Sequence, residues 1–190
     1  KHFPGHGDTL EDSHYHLPCL DNNITLLLNR EFLPFQAAIK ANCASIMTAH
    51  IIMKSIDNMP ATLSKKILSA LLRDTLKYNG VIISDDLNMK ALADHFSLEE
   101  IIHHGVLAGV DIFLICEHQE KAEQAYEILQ RWYQKDTFFQ AKANESLARI
   151  QNMKMRFHEY NRRNPADEIA LNDMCRKYHD EIISFLKPLS

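Results

Sequence analysis

Val81-Ile82-Ile83-Ser84-Asp85-Asp86 decides the fold. An apolar run that ends in two carboxylates lacks the alternation of a half-exposed strand. It reads as a strand covered on both faces, with charge immediately after its C-terminal end. Upstream, Ile67, Leu68, Leu71, Leu72 and Leu76 recur at helical spacing behind a cap at Thr62 or Ser64, and Gly80 stands where that helix should stop. Downstream, Met89 to His95 is a short helix or turn. Ser97 and Glu100 then form a capping-box pattern for a helix ending near Gly109.

Two further stretches share the first one's character. Ser45-Ile46-Met47-Thr48-Ala49-His50-Ile51 is a short buried strand with His50 near its C-terminal end. Val110-Asp111-Ile112-Phe113-Leu114-Ile115-Cys116 is another. Asp21-Asn22-Asn23 caps a helix carrying Ile24, Leu26, Leu27 and Leu28, and Pro34 opens the next. Residues 120–135 form an amphipathic helix with Ala122, Ala125, Ile128, Leu129 and Trp132 inward. Residues 141–157 form another, with Leu147, Ile150 and Met153 or Met155 on one face. Strand and helix alternate, so the fold class is α/β with a parallel sheet. Polar residues gather at strand ends: His50, Asp85-Asp86, Glu117-His118, and Lys1-His2 if the opening segment ends a strand. Four such ends fit either half of an eight-stranded barrel or a small open sheet.

The chain of 190 residues is long enough for one domain with a core, and its net charge of −4 carries no footprint for nucleic acid. No apolar run reaches the roughly 18 residues of a membrane span. The four cysteines form no CxxC pair and Cys116 reads as a buried free thiol, a pattern that fits a reducing compartment.

Chemistry concentrates in two places. In the opening loop, Lys1-His2-Phe3-Pro4-Gly5-His6-Gly7-Asp8 leads to Asp12-Ser13-His14. Two residues apart in an extended segment, Asp12 and His14 project to one side. They form either an acid–base dyad or a solvated turn. At the second place, Asp85 can serve as nucleophile, base or metal ligand, whereas Asp86 suits a cap or loop anchor. His2, His6, Asp8, Asp12, His14 and His16 are rich in ligand types, and His103-His104 adds a pair. No HxH stands at a strand end and no HExxH is present, so no metal is expected.

The opening motif, with Leu17-Pro18 after it, resembles the signature of bacterial family 3 glycoside hydrolases of the β-N-acetylhexosaminidase type. Met47-Thr48-Ala49-His50-Ile51, Pro60-Ala61-Thr62-Leu63-Ser64, Gly80 to Met89 and Ala108-Gly109-Val110-Asp111 resemble its later segments in order. The resemblance covers about residues 1–155. It implies the C-terminal half of a TIM-type (β/α)8 barrel over residues 1–158. Residues 159–190 lie outside the resemblance; their composition turns polar and reads as a helical tail with a last helix at 173–185. It implies Asp85 as catalytic nucleophile, His14 as general acid/base, Asp12 as the partner of His14, and Lys1, His2 and Met89 as substrate contacts. The implied reaction is retaining removal of terminal β-linked N-acetylglucosamine from a muropeptide in cytoplasmic cell-wall recycling, without a cofactor. Two alternatives stay open: a catalytically silent sugar-binding remnant, and a β-glucosidase or glycoside phosphorylase of the same family. A full enzyme of this type starts well before the lysine that stands first here. The chain alone is therefore expected to be inactive and aggregation-prone until the missing half or a dimer partner completes it.

Overall fold

The computed structural model describes residues 1–9, 13, 15–21 and 23–163. Asp12, His14, Asn22 of the expected capping stretch and the expected helix at 173–185 lie outside the described residues. Lys1–Ile150 forms one compact unit, and beyond it the described chain continues its last helix to Arg163.

The sheet that positions the site contains β2 (Ser45–Met47), β4 (Val81–Asp86) and β5 (Ile112–Leu114), all parallel, in the order β2-β4-β5. The opening segment joins outside β2. Phe3 N–H donates to the Met47 carbonyl at 2.8 Å, and Ala49 N–H donates to the Phe3 carbonyl at 2.7 Å. This makes a parallel bridge between Phe3 and Thr48. A smaller parallel pair, β1 (Cys19–Leu20) with β3 (Ile52–Met53), sits beyond the end of β2. No hydrophobic pattern announces it, because both strands are only two residues long.

Helices cover the sheet. Asn23 caps α1 (Ile24–Leu26), accepting from Leu26 N–H at 2.8 Å. The chain then passes through wide π-type turns at Leu27–Glu31 into α2 (Leu33–Lys40), with Pro34 in its first turn. Ser64, not Thr62, caps the helix Lys66–Thr75: its hydroxyl accepts from Ile67 N–H. This helix buries Ile67, Leu68, Leu71 and Leu72 against Phe3, Ile46 and Ile82. The short α3 (Lys90–Ala93) leads into α4 (Leu98–Ala108), whose Ser97–Glu100 capping box forms as expected. With α5 (Gln119–Lys135), α4 encloses a second core of Leu63, Leu92, Ile101, Ile102 and Ile128. The last helix is α6 (Thr137–Arg163).

Several expectations are corrected. Gly80 does not end the helix before β4: that helix stops at Thr75, and Lys77 takes the left-handed conformation at φ 57°. Gly80 instead leaves room for the Tyr78 phenol: a Cβ there would run into its hydroxyl and lie 2.6 Å from the ring carbon that bears it. Asp85 and Asp86 are the last residues of β4, not the loop after it, while β2 and β5 are shorter than their apolar runs. Cys116 is exposed, because β5 ends before it. Ala122, Leu147 and Met155 are exposed as well: α5 buries the narrower face of Ala125 and Ile128.

Opposite the site end, Asp111 locks the start of β5. Its side chain is fully buried, accepts from Arg73 at 2.7 Å and Arg149 at 2.9 Å, and also accepts from Ile82 N–H. Arg73 goes on to the carbonyls of Tyr78 and Gly80. One carboxylate thus ties the helix Lys66–Thr75, α6 and the starts of two strands together.

Candidate active site

The site stands at the C-terminal strand ends. Phe3 anchors its first wall. The ring is fully buried, stacks on Phe32 and meets Phe35 edge-on, a burial worth roughly 1.5–3 kcal/mol. The Lys1–His2 and Phe3–Pro4 peptide bonds are cis. Gly5 follows at φ 127°, a conformation that favours glycine, and its N–H closes a turn onto the His2 carbonyl.

The pleat of β4 places Asp85. Ile83 pairs with Ile112 but Asp86 with Leu114, so β4 carries one extra residue between them. Such a bulge re-aims side chains next to it. The Leu114 N–H then donates to the Ser84 hydroxyl at 2.9 Å. Asp85 emerges partly exposed. Its Oδ1 accepts from Asp86 N–H at 2.9 Å, and its Oδ2 faces His2 Nε2 at 3.4 Å. Burial pulls the His2 imidazole below its usual range, against the opposing pull of Asp85. A neutral imidazole beside a carboxylate can donate one hydrogen bond and accept another.

Asp86 is the anchor the sequence suggested. Its Oδ1 accepts from the N–H groups of Asn88 and Cys116, while Asn88 reaches the Cys116 carbonyl and accepts from Lys121. Met89 is buried where α3 begins, with its N–H on the Asp86 carbonyl. Lys1 is exposed beside His2. The structure therefore gathers Lys1, His2, Asp85 and Met89 around adjoining strand ends, while Asp12 and His14 lie outside the described residues. Between those two stands Ser13, buried, with its hydroxyl 3.0 Å from His6 Nε2. His6 Nδ1 is 2.7 Å from the Thr9 hydroxyl, so this histidine links Thr9 and Ser13.

Sequence reasoning missed the network beneath Asp85. His50 is buried, with Nδ1 2.8 Å from the Thr62 hydroxyl and Nε2 3.0 Å from the Asp86 carbonyl. Thr62 is also 2.8 Å from the Thr48 hydroxyl. The signal was available: three polar residues, Thr48, His50 and Thr62, in otherwise apolar surroundings. Among the described residues, no cluster of three or more histidine, cysteine, aspartate or glutamate side chains could hold a metal, and no helix is long and apolar enough to cross a membrane.

Parallel strands under helices, with acids and imidazoles at the C-terminal strand ends, define a portion of a TIM-type α/β barrel. The chain belongs to glycosyl hydrolase family 3: the model of that family's N-terminal domain matches residues 1–153. Its relatives include a protein named beta-hexosaminidase from Actinobacillus pleuropneumoniae serotype 5b, 40% identical over 67% of this chain and 37% of the relative. Among solved structures it is similar to a family 3 beta-N-acetylglucosaminidase from Paenibacillus, at 34% identity and a TM-score of 0.79 over 82% of this chain and 30% of that one. The beta-N-acetylglucosaminidase from Thermotoga maritima matches at 32% identity and a TM-score of 0.73, over 80% of this chain and 33% of that one. The chain thus spans about a third of the length of these proteins.

Proposed function

We propose that this chain carries the nucleophile side of a retaining β-N-acetylhexosaminidase site. One observation carries the reading: Asp85 stands at a strand end with Oδ1 held by its neighbour's N–H and Oδ2 turned toward His2. A carboxylate held in this way has little freedom to lose on attack. In the proposed reaction Oδ2 attacks the anomeric carbon of a terminal N-acetylglucosamine. His14 protonates the departing glycosidic oxygen. A glycosyl ester on Asp85 results, and His14 then takes a proton from the water that hydrolyses it. Asp12 orients His14, while Lys1, His2 and Met89 contact the sugar.

The names of the relatives support the sugar class. The proposed natural substrate is a muropeptide bearing N-acetylglucosamine, in cell-wall recycling in the cytoplasm. Further sugar contacts would come from the other half of a barrel or from a partner copy.

The test is hydrolysis of an aryl β-N-acetylglucosaminide by the natural gene product that carries this chain. A slowly released fluorosugar should trap an ester, and peptide mass spectrometry should place it on Asp85. Turnover that survives Asp85→Ala would sink the nucleophile assignment. The same assay with added phosphate separates hydrolysis from phosphorolysis, since only the latter yields sugar 1-phosphate.

A further inference from the structure

Where β2 ends, β4 loses its neighbour. The last ladder bond between them runs from Thr48 N–H to the Ile83 carbonyl, and the next amide of that segment, Ala49 N–H, turns away to Phe3. Among the described residues, the end of β4 that carries Asp85 therefore has no backbone partner on that side. On its other side β5 holds it, through Leu114 N–H on Ser84 and Cys116 N–H on Asp86.

His50 fills the gap. A carbonyl oxygen only accepts, so the Nε2 facing Asp86 carries the hydrogen. Nδ1 of the neutral ring then accepts from the Thr62 hydroxyl, whose one hydrogen is shared with the Ala49 carbonyl at 3.1 Å, and Thr48 can donate to Thr62 in turn. Burial holds the ring below its usual pKa and so in this neutral form. The Asp86 carbonyl also receives Met89 N–H at 3.2 Å, so both of its lone pairs are engaged. The backbone of Asp86 is thereby held at both ends: its N–H by the Asp85 carboxylate and its carbonyl by His50 and Met89.

We propose that His50 is a positioning residue for Asp85: its Nε2–H replaces the missing ladder bond and fixes the direction of the nucleophilic carboxylate, with Thr62 selecting the required tautomer. This rests on the reading of Asp85 as nucleophile. His50 does not touch the sugar in this role, so its loss should appear in kcat and not in KM.

The experiment compares His50→Gln, His50→Asn and Thr62→Val in the natural gene product with an aryl β-N-acetylglucosaminide. Glutamine keeps a donor where Nε2 stood, whereas asparagine keeps a polar group only near Thr62. Both lose the ring, so their difference isolates the donor. His50→Asn should lower kcat about 100-fold with KM changed less than about twofold, and His50→Gln should recover to within about tenfold of wild type. Thr62→Val, which keeps the imidazole and the side-chain shape, should lower kcat about tenfold. Equal kcat for the two His50 variants, unchanged kcat in Thr62→Val, or a loss confined to KM overturns the proposal while leaving the nucleophile intact. Absence of a trapped ester on Asp85 in the wild-type protein overturns the nucleophile reading, and this proposal with it.

Discussion

His2 Nε2 stands 3.4 Å from Asp85 Oδ2, and the two reach each other across β2 from strands that are not neighbours. Burial lowers the pKa of the imidazole against the opposing pull of Asp85, and the two groups face each other at the strand ends. Asp85→Ala should lower turnover of an aryl β-N-acetylglucosaminide by at least about 10⁴-fold. Its thermal midpoint should hold, because the carboxylate is partly exposed and packs no core. His2→Ala should raise KM by up to about tenfold, the loss of one hydrogen bond, with a smaller effect on kcat. Steady-state kinetics and a melting curve on the same samples check both.

Asp111 sits between two arginines with its side chain wholly buried. Asp111→Ala strands Arg73 and Arg149 without their counter-charge and leaves Ile82 N–H without its acceptor. The expected loss is about 3–5 kcal/mol in urea unfolding. Asp111→Asn should lose less, since the amide oxygen can still accept from Ile82.

The imidazole of His50 is buried and held below its usual pKa by that burial, against the opposing pull of Asp85 and Asp86 and with His2 adding to the depression. A histidine with a depressed folded-state pKa binds its proton more readily in the unfolded chain. Its contribution is therefore fully present above the unfolded value of about 6.5 and is lost as pH falls from there through the lower folded-state pKa. The midpoint should drop between pH 7.5 and pH 5, and His50→Gln should flatten that dependence. Calorimetry at a series of pH values checks this.

A Cβ on Gly105 would lie 2.6 Å from the Phe113 ring, whereas one on Gly109 would lie 3.6 Å from its nearest neighbour but at φ 109°. The two alanine substitutions therefore fail for different reasons. Gly105→Ala should cost about 1–3 kcal/mol by pushing α4 off β5. Gly109→Ala should cost about 1 kcal/mol through backbone strain alone. Shifted methyl resonances at the α4–β5 contact should accompany only the first.

The strand ends were legible because parallel strands write themselves as apolar runs closed by polar residues, as Val81 to Asp86 does. The Ser97–Glu100 box and the Gly109 stop were legible because caps are local chemistry. What escaped depends on distant neighbours. The bulge beside Asp85 exists only against β5, and the role of His50 only against Thr62 and Asp86. The inward face of α5 was drawn too wide, since periodicity marks the direction of an apolar stripe and not how much of it a neighbour covers. Gly80 reads as a stop because glycine in that place usually is one, but a tyrosine needs the space.

Phe3 carries one consequence beyond its packing. It is wedged between Phe32 and Phe35 on the far side of the chain's first bend, immediately next to His2. The two phenylalanines set the depth of that wedge, and with it the reach of the imidazole toward Asp85. A change at Phe32, which stands before α2 and touches no substrate in the proposed site, would act like turning an adjusting screw. The sheet would keep its register while the distance across the cleft changed, so the gauge of the cleft is set from inside the hydrophobic core.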